Sequence, residues 1–140
     1  MKKVVKFGGS SLASAEQFKK VGDIIRSDEG RRYVIPSAPG KRFSEDTKVT
    51  DMLYGCYAKA EAGKNFDAEL TAIADRYQQI IDGLGLSLDL SGEFEEIGRR
   101  FAAKEGKDYA ASRGEYLNGK VMAEYLGYEF VDPAEGIYFY

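Results

Sequence analysis

Histidine does not occur in the 140-residue chain, and cysteine occurs once, at Cys56. The first absence excludes Ser-His-Asp triads, imidazole general bases and histidine metal sites within the chain. The second excludes an internal disulfide and fits a reducing compartment. An excess of one charge is missing too. Twenty Lys and Arg against 23 Asp and Glu leave a net charge of −3, so the strongly basic footprint of a nucleic-acid binder is not there. The N-terminal apolar run is broken by Lys6 and Gly8 after a few residues, too soon for a signal peptide or a membrane span. The expectation is a cytoplasmic protein with neither membrane nor nucleic acid as partner.

What is present is one domain's worth of chain, with 44% apolar residues to form a core. "KKVVKF" (2–7) reads as a buried strand. A helix is predicted over 14–30, with Ser14 and Gln17 at capping-box spacing, Phe18, Val21 and Ile25 on one face, and Gly30 as its stop. "RRYVIP" (31–36) reads as a second strand. Strand, helix and strand with short connections make a βαβ unit with a parallel pair. The polar stretch 37–48 has no hydrophobic period and reads as a long loop, functional or mobile. Helical periods resume over 49–63 (Val49, Leu53, Cys56, Ala60) and 65–85, where Asn65 is the expected cap. Two further helices are expected over 91–106 (Phe94, Ile97, Phe101) and 108–127, the latter ending at Gly127. Strands are expected over 128–132 and 137–140. The final "IYFY" looks like an unfinished hydrophobic strand, so the chain is expected to be the front part of a longer protein.

Three stretches could carry chemistry. In "VVKFGGSS" (4–11) a strand stops at Gly8 and Gly9, followed by small hydroxyl residues and a helix. Glycines admit an anion close to backbone N–H groups, and a lysine in the strand adds charge. The same residues also make an ordinary tight turn with Lys6 reaching for solvent. Neither the dinucleotide fingerprint nor a Walker A pattern is present: around Gly40-Lys41, Ile35 and Arg42 stand where Gly and Ser/Thr are needed. The second stretch, 37–51, follows the second strand and shares its sheet edge with Gly8. It offers Ser37, Ser44, Thr47 and Thr50 with Lys41, Arg42 and Lys48, or else is a solvated loop. The third, "ASRGEYLNGK" (111–120), sets Gly114 and Glu115 inside a helical pattern. A mid-helix glycine costs about 1 kcal/mol relative to alanine, so close packing or a ligand at Glu115 would explain it; a solvated glutamate is the plain alternative.

In their order and spacing, "VVKFGGSS", "PSAPGK…TKVTDML" and "SRGEYLNGKVMAEYLG" resemble the aspartokinases of the amino acid kinase family, from Lys2 to about Ile137. The resemblance implies an α/β, three-layer αβα sandwich with a mainly parallel sheet. Residues 1–140 would then be the N-terminal part of a kinase domain, without its nucleoside half and regulatory domains. It implies transfer of the ATP γ-phosphoryl to the β-carboxylate of L-aspartate, with Mg²⁺ carried by the ATP, in a protein that forms homo-oligomers. Lys6 matches the lysine that neutralises the moving phosphoryl. Phe7, Gly8, Gly9 and Ser10 match the phosphate cradle, Ser37 and Thr50 the aspartate site, and Glu115 the glutamate that holds the substrate ammonium. No metal ligand is expected from this chain. A relative acting on glutamate or N-acetylglutamate, or a non-catalytic anion-binding fragment, stand as the alternatives.

Overall fold

The computed structural model describes residues 3–27, 31–128 and 130. The βαβ unit forms as the sequence predicts. Strand β1 (Lys3–Phe7) pairs in parallel with β2 (Arg31–Pro36), with Val5 opposite Val34, Lys6 opposite Ile35 and Phe7 opposite Pro36. The register slips by one residue between Lys3 and Val4. A short 3-10 helix (Gly9–Leu12) separates β1 from helix α1 (Ala15–Arg26). Four more helices follow: α2 (Val49–Glu61), α3 (Asp67–Gly83), α4 (Ser91–Ala102) and α5 (Lys107–Leu126). The strands expected over 128–132 and 137–140 lie outside the described residues except for Tyr128 and Phe130, as does the expected stop at Gly30.

Local chemistry accounts for the boundaries. Ser14 is extended, and its hydroxyl accepts from the Gln17 N–H at 3.4 Å, so α1 starts where the capping box placed it. Helix α3 starts later than expected. Phe66 takes the cap position, while Asn65 Oδ1 accepts from the Asp67 N–H at 2.8 Å. Asp89 does the same for the Ser91 N–H at 2.9 Å in front of α4. Helix α4 stops at Ala102 rather than 106, because the chain turns through Lys104 (φ 58°) and Gly106 (φ 115°) into α5. Gly127 ends α5 in the left-handed region (φ 73°), and the Tyr128 N–H reaches back to the Ala123 carbonyl at 2.8 Å.

The predicted stripes form one core. Phe18 and Ile25 of α1, Leu53 of α2, Ile73 and Tyr77 of α3, Phe101 of α4 and Leu117 of α5 are essentially inaccessible. Each such side chain stabilises the fold by about 1.5–3 kcal/mol relative to exposure. Phe101 is the aromatic hub: Tyr57 meets it edge-on with ring centres 5.3 Å apart, and Tyr109 does so at 6.1 Å. Strand β1 is less enclosed than predicted. Among its described side chains Val5 and Phe7 are half-buried and Lys6 is exposed. No helix of the described residues is long and apolar enough to cross a membrane.

Candidate functional site

Parallel pairing brings the carboxyl ends of β1 and β2 to one edge, and the loops leaving them stay together. The Ser37 N–H donates to the Phe7 carbonyl at 3.0 Å, and the Gly40 N–H donates to the Gly9 carbonyl at 2.8 Å. This contact divides the labour of the two early glycines. A Cβ on Gly40 would stand 2.6 Å from the Gly9 carbonyl carbon, and one on Gly9 would stand 2.9 Å from the Ala38 oxygen. Gly9 is therefore required by the neighbouring backbone. At Gly8 a Cβ would meet nothing within 4 Å, so the space above it is open to a ligand. The strand does not run straight into a long helix either: the Ser11 N–H turns back to the Gly8 carbonyl at 3.2 Å in the 3-10 helix.

At this edge lies an open cleft of about 510 Å³. Five of the residues given a site role from sequence line it: Gly9, Ser10, Ser37, Thr50 and Glu115. Ala38, Pro39 and Gly40 complete its floor, and Lys41 and Lys48 bring two positive charges. Those lysines were legible as basic groups of the loop but not as parts of the site, because only the fold shows which way a loop closes. Lys6, Phe7 and Gly8 are not among the lining residues. Lys6 is exposed on β1, and Phe7 packs its ring against the core.

Glu115 reaches the cleft because α5 can lie very close to the loop after β2. A Cβ on Gly114 would be 2.6 Å from the Ala38 Cβ and 3.4 Å from Leu53 Cδ1. The buried Tyr77 hydroxyl donates to the Gly114 carbonyl at 2.8 Å, and burial pushes its pKa up, so it stays a donor. One turn on, the inaccessible Asn118 donates through Nδ2 to the Ser37 carbonyl at 2.6 Å, while its Oδ1 has no partner among the described residues. The mid-helix glycine is thus explained by packing, and the packing delivers the exposed Glu115 to the cleft.

The loop after β2 is built rather than loose. Asp46 accepts from Arg42 Nε at 2.6 Å, Nη2 at 3.0 Å and the Arg42 N–H at 3.0 Å. The Arg42 guanidinium holds the Asp46 carboxyl well below the usual carboxylate range and is itself raised in return. Helix α3 carries Arg76, only 4% exposed, beneath this loop. Cys56 is no nucleophile: burial pushes its thiol up to about 12, and Sγ faces the Phe66 carbonyl at 3.9 Å. A second hollow of about 410 Å³ between α3 and α4 is lined by Asp75, Asp89 and Glu95 with no cation, which does not suit an anionic ligand. No group of three or more acidic or cysteine side chains that could hold a metal ion stands among the described residues.

The amino acid kinase family model matches residues 1–137. Aspartokinase 3 of Bacillus subtilis is 37% identical over 144 residues, covering 95% of this chain and 32% of that protein. The chloroplastic aspartokinase 1 of Arabidopsis thaliana is 29% identical over 133 residues, covering 88% of this chain and 23% of its own length. Among solved structures, the aspartate kinase of Clostridium acetobutylicum superposes with a TM-score of 0.87 at 49% identity, over 91% of this chain and 29% of that one. Aspartokinase III of E. coli, in complex with aspartate and ADP, superposes with a TM-score of 0.69 at 25% identity, again over 91% of this chain and 29% of that one. The chain spans no more than about a third of the length of the curated relatives it matches. The arrangement from β1 to α5 is that of the aspartate kinase structures.

Proposed function

The chain belongs to the amino acid kinase family, and from that premise we propose that it forms the N-terminal part of the catalytic domain of an aspartate kinase. The reaction is transfer of the γ-phosphoryl of ATP to the β-carboxylate of L-aspartate, feeding lysine, threonine and methionine synthesis. One observation carries the reading. A single cleft gathers a glycine turn, two lysines and one carboxylate from three separate segments of the chain. That charge pattern suits two anionic reactants, one of which also bears an ammonium group.

In this reading Gly8, Gly9 and Ser10 receive the ATP phosphates, aided by Lys41 and Lys48. Ser37 and Thr50 hold the aspartate, and Glu115 takes its ammonium. Lys6, at the end of β1, neutralises charge on the phosphoryl as it moves. The attacking carboxylate, with an unperturbed pKa of about 3.9, is already ionised at neutral pH. Its oxygen forms the new P–O bond, and the bond to the β-phosphate oxygen breaks, its electrons leaving with ADP. No proton has to move, so a chain without histidine meets no chemical obstacle. Catalysis then rests on alignment and on fixed positive charge. Mg²⁺ suits phosphate oxygens and water, and it would arrive with the nucleotide.

The test is a hydroxylamine trap for acyl phosphate on the full-length protein, with aspartate, glutamate and N-acetylglutamate offered separately. Hydroxamate from aspartate alone is expected. Product from either of the other acids would move the protein to a sister activity. No product from any of them would leave an anion-binding module.

A further inference from the structure

We propose that Arg76, which lies outside the cleft, is the positioning residue that sets the cleft's width; the proposal rests on the reading of that cleft as the phosphoryl-transfer site. Its guanidinium is buried, and it reaches three separate segments. Nη2 donates to the Gly40 carbonyl at 2.7 Å and approaches the Ala13 carbonyl at 3.5 Å. Nη1 donates to the Thr47 carbonyl at 2.9 Å and stands 3.6 Å from Asp46 Oδ2. Ala13 follows the 3-10 helix that begins at Gly9, Gly40 abuts Gly9, and Thr47 immediately precedes Lys48 and the start of α2.

One cation therefore joins the proposed phosphate turn to both ends of the loop after β2. Asp46 extends the strap outward. It holds Arg42, whose Nη1 donates to Gln79 Oε1 on α3 at 3.1 Å. The segment 40–47 is tied to α3 at two points. A planar fork with five donors can serve carbonyls lying in different directions at once, whereas a lysine ammonium on its single stem cannot hold the same fixed spread. Losing the fork leaves only two backbone hydrogen bonds among the described residues to hold the loop ends, Gly40 N–H to the Gly9 carbonyl at 2.8 Å and Val49 N–H to the Pro39 carbonyl at 3.0 Å. The distance from the Gly9–Ser10 turn to Lys48 and Thr50 then loosens. Misplacement by ~1 Å is enough to cost about a hundredfold in a reaction that depends on alignment.

The test uses Arg76→Lys and Asp46→Asn in the full-length protein, with two independent readouts. The first is trypsin nicking after Lys41, Arg42 and Lys48, located by mass and measured without substrate. The second is kcat against KM for aspartate and ATP. For Arg76→Lys we expect nicking within 41–48 to speed up about tenfold, as local opening becomes easier. Its kcat should fall about a hundredfold, with the KM for ATP little changed. Asp46→Asn, which leaves the Arg76 side chain in place, should show the same pattern at smaller amplitude, and it decides the matter if Arg76→Lys does not fold. Nicking at the wild-type rate overturns the clamp. Faster nicking with wild-type kcat overturns the positioning role. If the wild-type protein phosphorylates no acid, the functional reading fails on that result alone, and the positioning role falls with it.

Discussion

Glu115 owes its place in the cleft to the residue before it. Replacing Gly114 by alanine would improve helix propensity by about 1 kcal/mol. It would also place a Cβ 2.6 Å from the Ala38 Cβ, and neither atom can swing away because both are fixed to backbone. Overpacking of this kind typically costs about 1–3 kcal/mol, so the clash should outweigh the gain. Gly114→Ala is expected to lower the urea midpoint with an unchanged slope and to raise the KM for aspartate, since Ala38 and Glu115 move apart. A midpoint at or above wild type would show that α5 does not press on the loop. The sequence pattern marks Gly114 as a conflict within a helix and offers packing or a ligand as its cause; the approach of Ala38 decides for packing. Arg76 carries no such mark. An arginine between Ile73 and Tyr77 reads as a solvated helix charge. What buries it are carbonyls of Gly40 and Thr47, and backbone acceptors have no residue type to betray them.

Elements were more legible than single side chains. The stripes of α1, α2 and α4 appear where periodicity put them, because burial of large apolar groups dominates helix placement. Boundaries moved where a short polar side chain reached two residues ahead, as Asn65 does for α3. The loop over 37–48 was the least legible element. Its length reads as function or mobility and its polar composition as a solvated loop, yet Asp46 in it binds Arg42 of the loop and stands beside Arg76 of α3. The Asp46 carboxyl is depressed in the folded chain, chiefly by its hydrogen bond from Arg42. A depressed acid contributes stability above its unfolded pKa of about 3.9, and that contribution is lost as pH falls through the folded value. The strap should therefore be insensitive to pH across the neutral range. Hydrogen exchange at the Arg42 N–H, which donates to Asp46 Oδ2, should show a constant protection factor from about pH 8 to pH 5 once intrinsic rates are removed. Protection that drops near pH 6 would mean that Asp46 is not held as an ion.

Across the whole molecule, the parallel β1–β2 pair is the feature from which the rest follows. It was legible from two short apolar runs around a capped helix, and it sends both glycine-bearing loops out at one edge. The cleft at that edge then draws on three segments far apart in sequence: the turn after β1, the loop after β2 with the start of α2, and the middle of α5. Composition alone says nothing of that convergence; the resemblance to the aspartokinases implied it, and packing through Gly9, Gly40 and Gly114 brings it about.

The cleft is proposed to hold an amino acid by its ammonium, at Glu115, beside a separate phosphate site. Steady-state kinetics of Glu115→Gln in the full-length protein test it most directly. A hydrogen bond to a charged group contributes roughly 1.5–3 kcal/mol, so the KM for aspartate should rise about ten- to a hundredfold. The ammonium keeps its charge throughout the reaction, so kcat should change less, and the KM for ATP should stay put. A rise in the KM for ATP with that for aspartate unchanged would remove Glu115 from the amino acid site.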